Sequence, residues 1–159
     1  MLKLDEFDLA ILDELQRNAR ATNVEIAERI NLSPSPCLRR IRALEQAGVI
    51  TSYRAGLDRQ AVGLELTVFV AFKVIRHSRE NAADLQQALL ALPEVVACYM
   101  ISGEADFLAE VVVENLAAYE ALLTEKLLTL PQVTDIRSNF AIRAVKTGGP
   151  LKLPARRAE

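Results

Sequence analysis

Seven residues, Leu89-Leu90-Ala91-Leu92-Pro93-Glu94-Val95, return thirty-eight positions later as Leu127-Leu128-Thr129-Leu130-Pro131-Gln132-Val133. In each copy the apolar spacing reads as the end of a helix, the proline stops it, and the valine opens a β-branched run. Such a duplication restricts this half of the chain to a fold with two equivalent halves. Its first strand is LTVFVAFKVI, Leu66 to Ile75, β-branched and aromatic and long enough to cross a sheet. A helix is predicted from about 81 to 92, with Leu85, Ala88, Leu89 and Leu92 on one face. The strand VVACYMIS, the tight connection Gly103-Glu104-Ala105-Asp106 and the strand FLAEVVV follow. A second helix is predicted from about 116 to 130, and a last strand from about 134 to 145. Two βαβ halves meeting at a hairpin make a ferredoxin-like βαββαβ unit, with both helices on one face of a four-stranded antiparallel sheet. Phe69, Ala71 and their neighbours leave the other face too apolar to stay wet, so a second subunit is its expected cover.

The first fifty residues carry a different period. Asp5 opens a helix with Asp8 three residues on, and Phe7, Ile11, Leu12 and Leu15 form its apolar stripe. Thr22-Asn23-Val24-Glu25 is a capping box that starts a second helix, whose inner face is Ile26, Ala27 and Ile30. A short turn leads into SPSPCLRRIRALEQ, Ser33 to Gln46. Ser35 can cap this third helix with Pro36 at its first position, and Ser33 before Pro34 is the competing start. At roughly 100° per residue, Leu38, Ile41 and Leu44 point to a core. Ser35, Pro36 and Arg39 face outward with Arg40 and Arg42 at the two borders. Two short helices joined by a turn, the second cationic on its outer face, form a helix-turn-helix, and arginines so placed fit the edges of guanine and the flanking phosphates. Gly48 suits a left-handed C-cap. In the wing or linker that follows, Tyr53 and Arg54 are either phosphate contacts or packing residues.

Net charge is near zero, but its distribution is uneven. Residues 1 to 60 balance nine basic against nine acidic side chains, residues 61 to 145 hold six against eleven, and the tail holds four against one. The arginines of the third helix are therefore a local patch, and local patches decide phosphate contact. Cys37 and Cys98 lie far apart without a CxxC spacing, and the single histidine, His77, is distant from both, which argues against a disulfide framework or a zinc site. Cys37 reads as a small packed side chain rather than a redox switch. No apolar run reaches membrane-spanning length, and a cytoplasmic location is the expectation. One histidine and scattered carboxylates assemble no nucleophile, acid–base pair or metal cluster, so no enzyme and no cofactor is expected.

LDEFDLAILDELQRNAR, the run SPxPCLxRIxxLEQxGVI, YRAGLD after it, and the SGEADF hairpin together resemble the Lrp/AsnC, or feast/famine, family of transcriptional regulators over residues 2 to 147. The resemblance implies an α+β chain: an N-terminal winged helix-turn-helix followed by a ferredoxin-like βαββαβ sensing module. On this reading residues 1–50 bind DNA, 51–63 are a wing or linker, and 64–147 sense an amino acid and oligomerise; the tail 148–159, with Lys152, Pro154, Arg156 and Arg157, has no family counterpart and is expected from its own residues to be a disordered basic end. It implies dimers pairing through their sheets, assembling to tetramers or octamers, with double-stranded DNA and a small amino-acid effector as partners and no membrane. It assigns Ser35, Pro36, Arg39, Arg40 and Arg42 to DNA. It assigns Ser102, Gly103 and Asp106 to the effector pocket, with Ser138 and Asn139 opposite on the final strand. Asp106 can accept from an α-ammonium while N–H groups at the glycine turn receive a carboxylate; alternatively Gly103 only makes the turn and Asp106 only caps it. Ile136 stands where many relatives have threonine, which makes that wall less polar. The function expected is sequence-specific transcriptional regulation in response to an amino acid. The alternatives are an amino-acid sensor acting through protein partners and a chromosome-organising DNA-binding protein.

Overall fold

The computed structural model describes residues 3–75 and 79–154, so His77 and the tail residues Arg156 and Arg157 lie outside the described residues. Two units result, Met1–Gly56 with Lys146–Glu159, and Leu57–Val145.

In the first unit three helices, α1 (Glu6–Arg17), α2 (Asn23–Arg29) and α3 (Pro34–Gln46), enclose Ile11, Leu15, Ile26, Ala27, Cys37, Ile41 and Leu44. Reciprocal caps start the first two. The Asp5 carboxylate accepts from the Asp8 N–H and the Asp8 carboxylate from the Asp5 N–H, and Thr22 and Glu25 repeat the arrangement as their spacing predicts. The α2–α3 turn places Asn31 at φ 56°, a left-handed conformation that asparagine tolerates. Helix α3 starts at the earlier serine-proline step: Ser33 is the N-cap, without a side-chain cap bond, and Ser35 lies inside the helix. Pro34 suits this start because the first helical N–H has no partner to lose. Ile41 and Leu44 of α3 are buried as their spacing predicts, and Cys37 rather than Leu38 completes that face at the i, i+4, i+7 spacing. Cys37 is fully enclosed while Leu38 is 37% exposed. At the far end Gly48, at φ 68°, turns the chain, and the Val49 N–H donates to the Leu44 carbonyl. The tail's Leu151 is clasped by Gln16 of α1: its N–H donates to Oε1 at 2.7 Å and its carbonyl accepts from Nε2 at 3.3 Å.

The second unit runs β1 (Leu66–Val74), α4 (Arg79–Leu90), β2 (Val95–Met100), β3 (Phe107–Val113), α5 (Leu116–Leu122) and β4 (Val133–Phe140). The sheet order is β2-β3-β1-β4 with every neighbouring pair antiparallel, as the duplicated pattern predicts. Alternate residues of β1, namely Val68, Val70, Phe72 and Val74, are buried with Leu85, Leu89, Phe107, Tyr119, Leu122 and Leu127 between the sheet and its helices. The second helix is not regular to its end: α5 passes into one π-helical stretch, Leu123–Leu127, that still delivers Leu127 to the core. Strand β4 stops at Phe140, and Ile142 and Val145 beyond it are largely exposed. On the opposite face of the sheet Phe69 and Tyr99 are exposed, and Arg59 bonds to Thr67 and Glu110.

Leu85 is fully buried between α4 and the sheet. Leu85→Ala is expected to destabilise this unit by about 2–5 kcal/mol, read as a lower urea midpoint with an unchanged slope.

Candidate functional site

The outward face of α3 follows from how the helix is seated. With Cys37, Ile41 and Leu44 inward, Ser35, Arg39 and Arg42 stand exposed and Pro36 is half-buried. Among the described residues no ion pair engages Arg39 or Arg42.

Arg40 departs from its expected role. Its Nη1 donates to Asp5 Oδ2 at 2.7 Å and to Asp8 Oδ1 at 2.8 Å, and its guanidinium lies 5.5 Å from the centre of the Phe7 ring. One helical position beyond Arg39 is enough to swing the side chain from the outer face to the start of α1. The bonds to Asp8 and Asp5 raise the Arg40 pKa. Burial pushes the Asp5 carboxyl upward, but the Asp8 N–H and the Arg40 guanidinium outweigh it and hold the pKa below the ordinary value. Sequence spacing missed this trio because its members lie 32 and 35 residues apart. The hydroxyl of Tyr53, a residue that is itself exposed, donates to Glu45 at 2.8 Å, and partial burial followed by that bond lifts its pKa to about 12.

At the hairpin, Gly103 takes φ 119°, which favours glycine, and Ser102 and Gly103 are exposed. Asp106 extends the sheet ladder. Its N–H donates to the Phe72 carbonyl and its carboxylate accepts from the Val74 N–H, each at 2.9 Å. The carboxylate thereby ties the hairpin to the end of β1. Ser138 and Asn139, as consecutive strand residues, point to opposite faces. Ser138 lies on the helix side, 2.5 Å from the Tyr119 hydroxyl, and Ile136 also packs against that core. Asn139 lies on the open side, and these two neighbours cannot both wall one pocket.

A cleft of about 340 Å³ opens on that side beside the hairpin, with Lys73, Glu104, Arg137 and Asn139 on its walls. Glu104 ties it together: its carbonyl accepts from Lys73 Nζ at 3.0 Å and its carboxylate pairs with Arg137 at 2.7 Å. Arg137 also meets Asp135 at 3.1 Å. Sequence reasoning passed over these charges. Their signal was the alternate placement of Asp135 and Arg137 at the start of a strand opposite Lys73 and Ala71, which needs the register to be read.

Comparison with known proteins covers both units. Residues 67–151 match the family model described as the Lrp/AsnC ligand binding domain, and residues 4–51 match a winged helix-turn-helix DNA-binding model. The chain is 42% identical over 145 residues to a leucine-responsive regulatory protein of Rhizobium meliloti, covering 91% of this chain and 93% of that one. It is 38% identical over 153 residues to the protein of the same name from Escherichia coli, covering 96% and 93%. A transcriptional regulator from Neisseria meningitidis, solved as a complex with L-Met, superposes with a TM-score of 0.89 at 36% identity, covering 94% of this chain and 97% of that one.

Tyr119 is 2% exposed, so its hydroxyl depends on Ser138. Ser138→Ala is expected to cost about 1–3 kcal/mol of stability by leaving that hydroxyl unpaired. An unchanged melting temperature would mean that Tyr119 finds another partner.

Proposed function

This chain belongs to the Lrp/AsnC family of DNA-binding transcriptional regulators, and on that premise we propose that it reads specific duplex sites with the outer face of α3 and that an amino acid bound beside the Ser102–Asp106 hairpin alters its assembly. The observation that carries the DNA reading is the division of α3 into a packed face and an exposed one bearing Arg39 and Arg42. Arg39 donates to a base edge, Arg42 meets phosphate, and Ser35 and Pro36 bring the start of the helix close to the groove. The protein acts in the cytoplasm as a dimer, whose two recognition helices address a near-palindromic site. Open sheet faces such as the one bearing Phe69 and Tyr99 pair between copies, and dimers assemble further to tetramers or octamers.

For the effector, the cleft offers Glu104 and Ala105 of the hairpin on one side and Arg137 and Asn139 of β4 on the other. Ser102, Gly103 and Asp106 do not line it, and they act by shaping the hairpin at its edge. Ser138 acts only by holding Tyr119. Leucine and methionine are the first candidates, because relatives are named leucine-responsive and one related structure holds L-Met. The charged cleft lining suits the ammonium and carboxylate that every amino acid carries.

Arg39→Ala is expected to cost about 1–3 kcal/mol on a selected site and to relax one base preference. Equal losses on selected and random duplexes would make Arg39 a phosphate contact. A wild-type chain with equal affinity for both at fixed salt would favour chromosome organisation over regulation. In a thermal-shift screen of the twenty amino acids, leucine or methionine should raise the melting temperature, since a ligand bound by the native state stabilises it. Asp106→Asn keeps an oxygen for the Val74 N–H but loses the charge, so it should preserve both the unliganded melting temperature and the shift. A lost shift would make the charge of Asp106 part of the effector site.

A further inference from the structure

We propose that Arg40 is a positioning residue for DNA recognition, seating α3 on the start of α1 through Asp5 and Asp8, and that these two acidic residues therefore support binding to a polyanion. The inference rests on the reading of α3 as the DNA-facing helix.

The use of every carboxylate oxygen carries it. Asp5 Oδ1 accepts from the Asp8 N–H at 2.9 Å and Asp8 Oδ2 from the Asp5 N–H at 3.0 Å, which completes the cap of α1. The two remaining oxygens, Asp5 Oδ2 and Asp8 Oδ1, both accept from the same Nη1 of Arg40. The cap thus orients both acceptors independently of the arginine, and the arginine bridges them. Phe7, on the first turn of α1, lies under the guanidinium and confines it from a third side. The Asp8 side chain is 12% exposed, that of Arg40 30% and that of Asp5 39%, so the Arg40–Asp8 contact is the enclosed one, unlike the surface pair Arg17–Asp13 at 63% and 44%. Such enclosure makes the arrangement costly to break, because a buried partner would be left uncompensated.

The position of Arg40 makes the lock relevant to recognition. Its neighbour Arg39 and the nearby Arg42 are exposed on the same helix, so a roll of α3 on α1 displaces both. Contacts to base edges require placement within a fraction of an ångström, whereas attraction to phosphates tolerates a displaced charge. Loss of the lock should therefore lower the ratio of specific to random binding. An ordinary acidic pair near DNA acts with the opposite sign, since removing it strengthens binding to any duplex.

The test measures the full-length chain on a duplex selected from a random pool by the wild-type protein, and on a random duplex, across a series of salt concentrations. Asp5→Asn with Asp8→Asn retains capping oxygens, since asparagine is a good N-cap, while removing both charges. This double variant is expected to bind the selected duplex about tenfold more weakly and the random duplex as well as or better than wild type. Arg40→Ala should show the same selective loss with an unchanged salt slope, and adding it to the double variant should cost little more. Arg40→Ala that lowers the slope by about one and weakens both duplexes equally would make Arg40 a phosphate contact and overturn the proposal. Tighter binding of the double variant to both duplexes would overturn it too. Arg39→Ala in the same assay separates the two levels: if it has no effect on either duplex, the reading of α3 itself fails. Melting temperatures of all variants identify any that are unfolded, and for those Arg40→Lys, which keeps the charge but loses the planar fork, supplies the comparison, expected to show the same selective loss.

Discussion

A helix can offer side chains to a groove only while its other face is held, and in this chain that hold is partly ionic. Apolar packing of Cys37, Ile41 and Leu44 fixes which face of α3 is inward, but such contacts are non-directional and leave freedom to slide or roll. The shared guanidinium of Arg40 removes that freedom, because its two acceptors are already fixed by the cap that starts α1. A single arrangement thus serves two purposes, ending the unsatisfied N–H groups of one helix and registering another. Everything outward on α3, Arg39 and Arg42 included, inherits its placement from this corner.

The second unit is governed by a different constraint, the common hand that strand–helix–strand crossovers take. In the order β2-β3-β1-β4 that rule puts both helices on one side of the sheet, where Leu85, Leu89, Tyr119 and Leu122 pack. One face is then sealed by Val70, Phe72, Leu85 and Leu89, and the other carries Phe69 and Tyr99 exposed beside charged residues. The asymmetry leaves one face of the sheet uncovered by topology alone. The sensing function proposed for this unit sits where the open face meets the hairpin, and the hairpin's own backbone is pinned there by Asp106.

Local signals in the sequence were the reliable ones. The Thr22–Glu25 capping box, the glycine turn at Gly48 and the strand starts at Val95 and Val133 depend on residues a few positions apart and hold in the structure, whereas the cap offered by Ser35 gives way to a start at Ser33. What escaped depended on long-range neighbours. Cys37 was legible as a packed side chain, but the exposure of Leu38 was not, because which residue at the border of the apolar stripe turns inward depends on how α3 is seated on the other helices. Arg40 looked outward because helix geometry alone cannot see Asp5 and Asp8 thirty-odd residues away. Ser138 and Asn139 were paired in sequence but are parted by the pleat of the strand. The charged cleft needed the β1–β4 register before Lys73, Asp135 and Arg137 could be seen as neighbours.

The two kinds of ionic contact also differ in how readily they give way, and that difference fits the two roles proposed. Arg40 and Asp8 are largely enclosed, so separating them carries a desolvation cost that exposed groups escape. Arg137 and Glu104 are 65% and 84% exposed, and exposed pairs contribute about 0–1 kcal/mol. An amino acid brings one ammonium and one carboxylate, and at the cleft it can exchange partners with Glu104 and Arg137 at little cost. A regulator needs this order of strengths. The contacts that orient the reading head must survive effector binding, while those at the sensing cleft must be weak enough for a small molecule to replace. A ligand shifts an equilibrium only by the difference in its affinity for two arrangements, and an exposed pair such as Glu104–Arg137 is where a second arrangement of side chains lies within reach of one amino acid's binding energy.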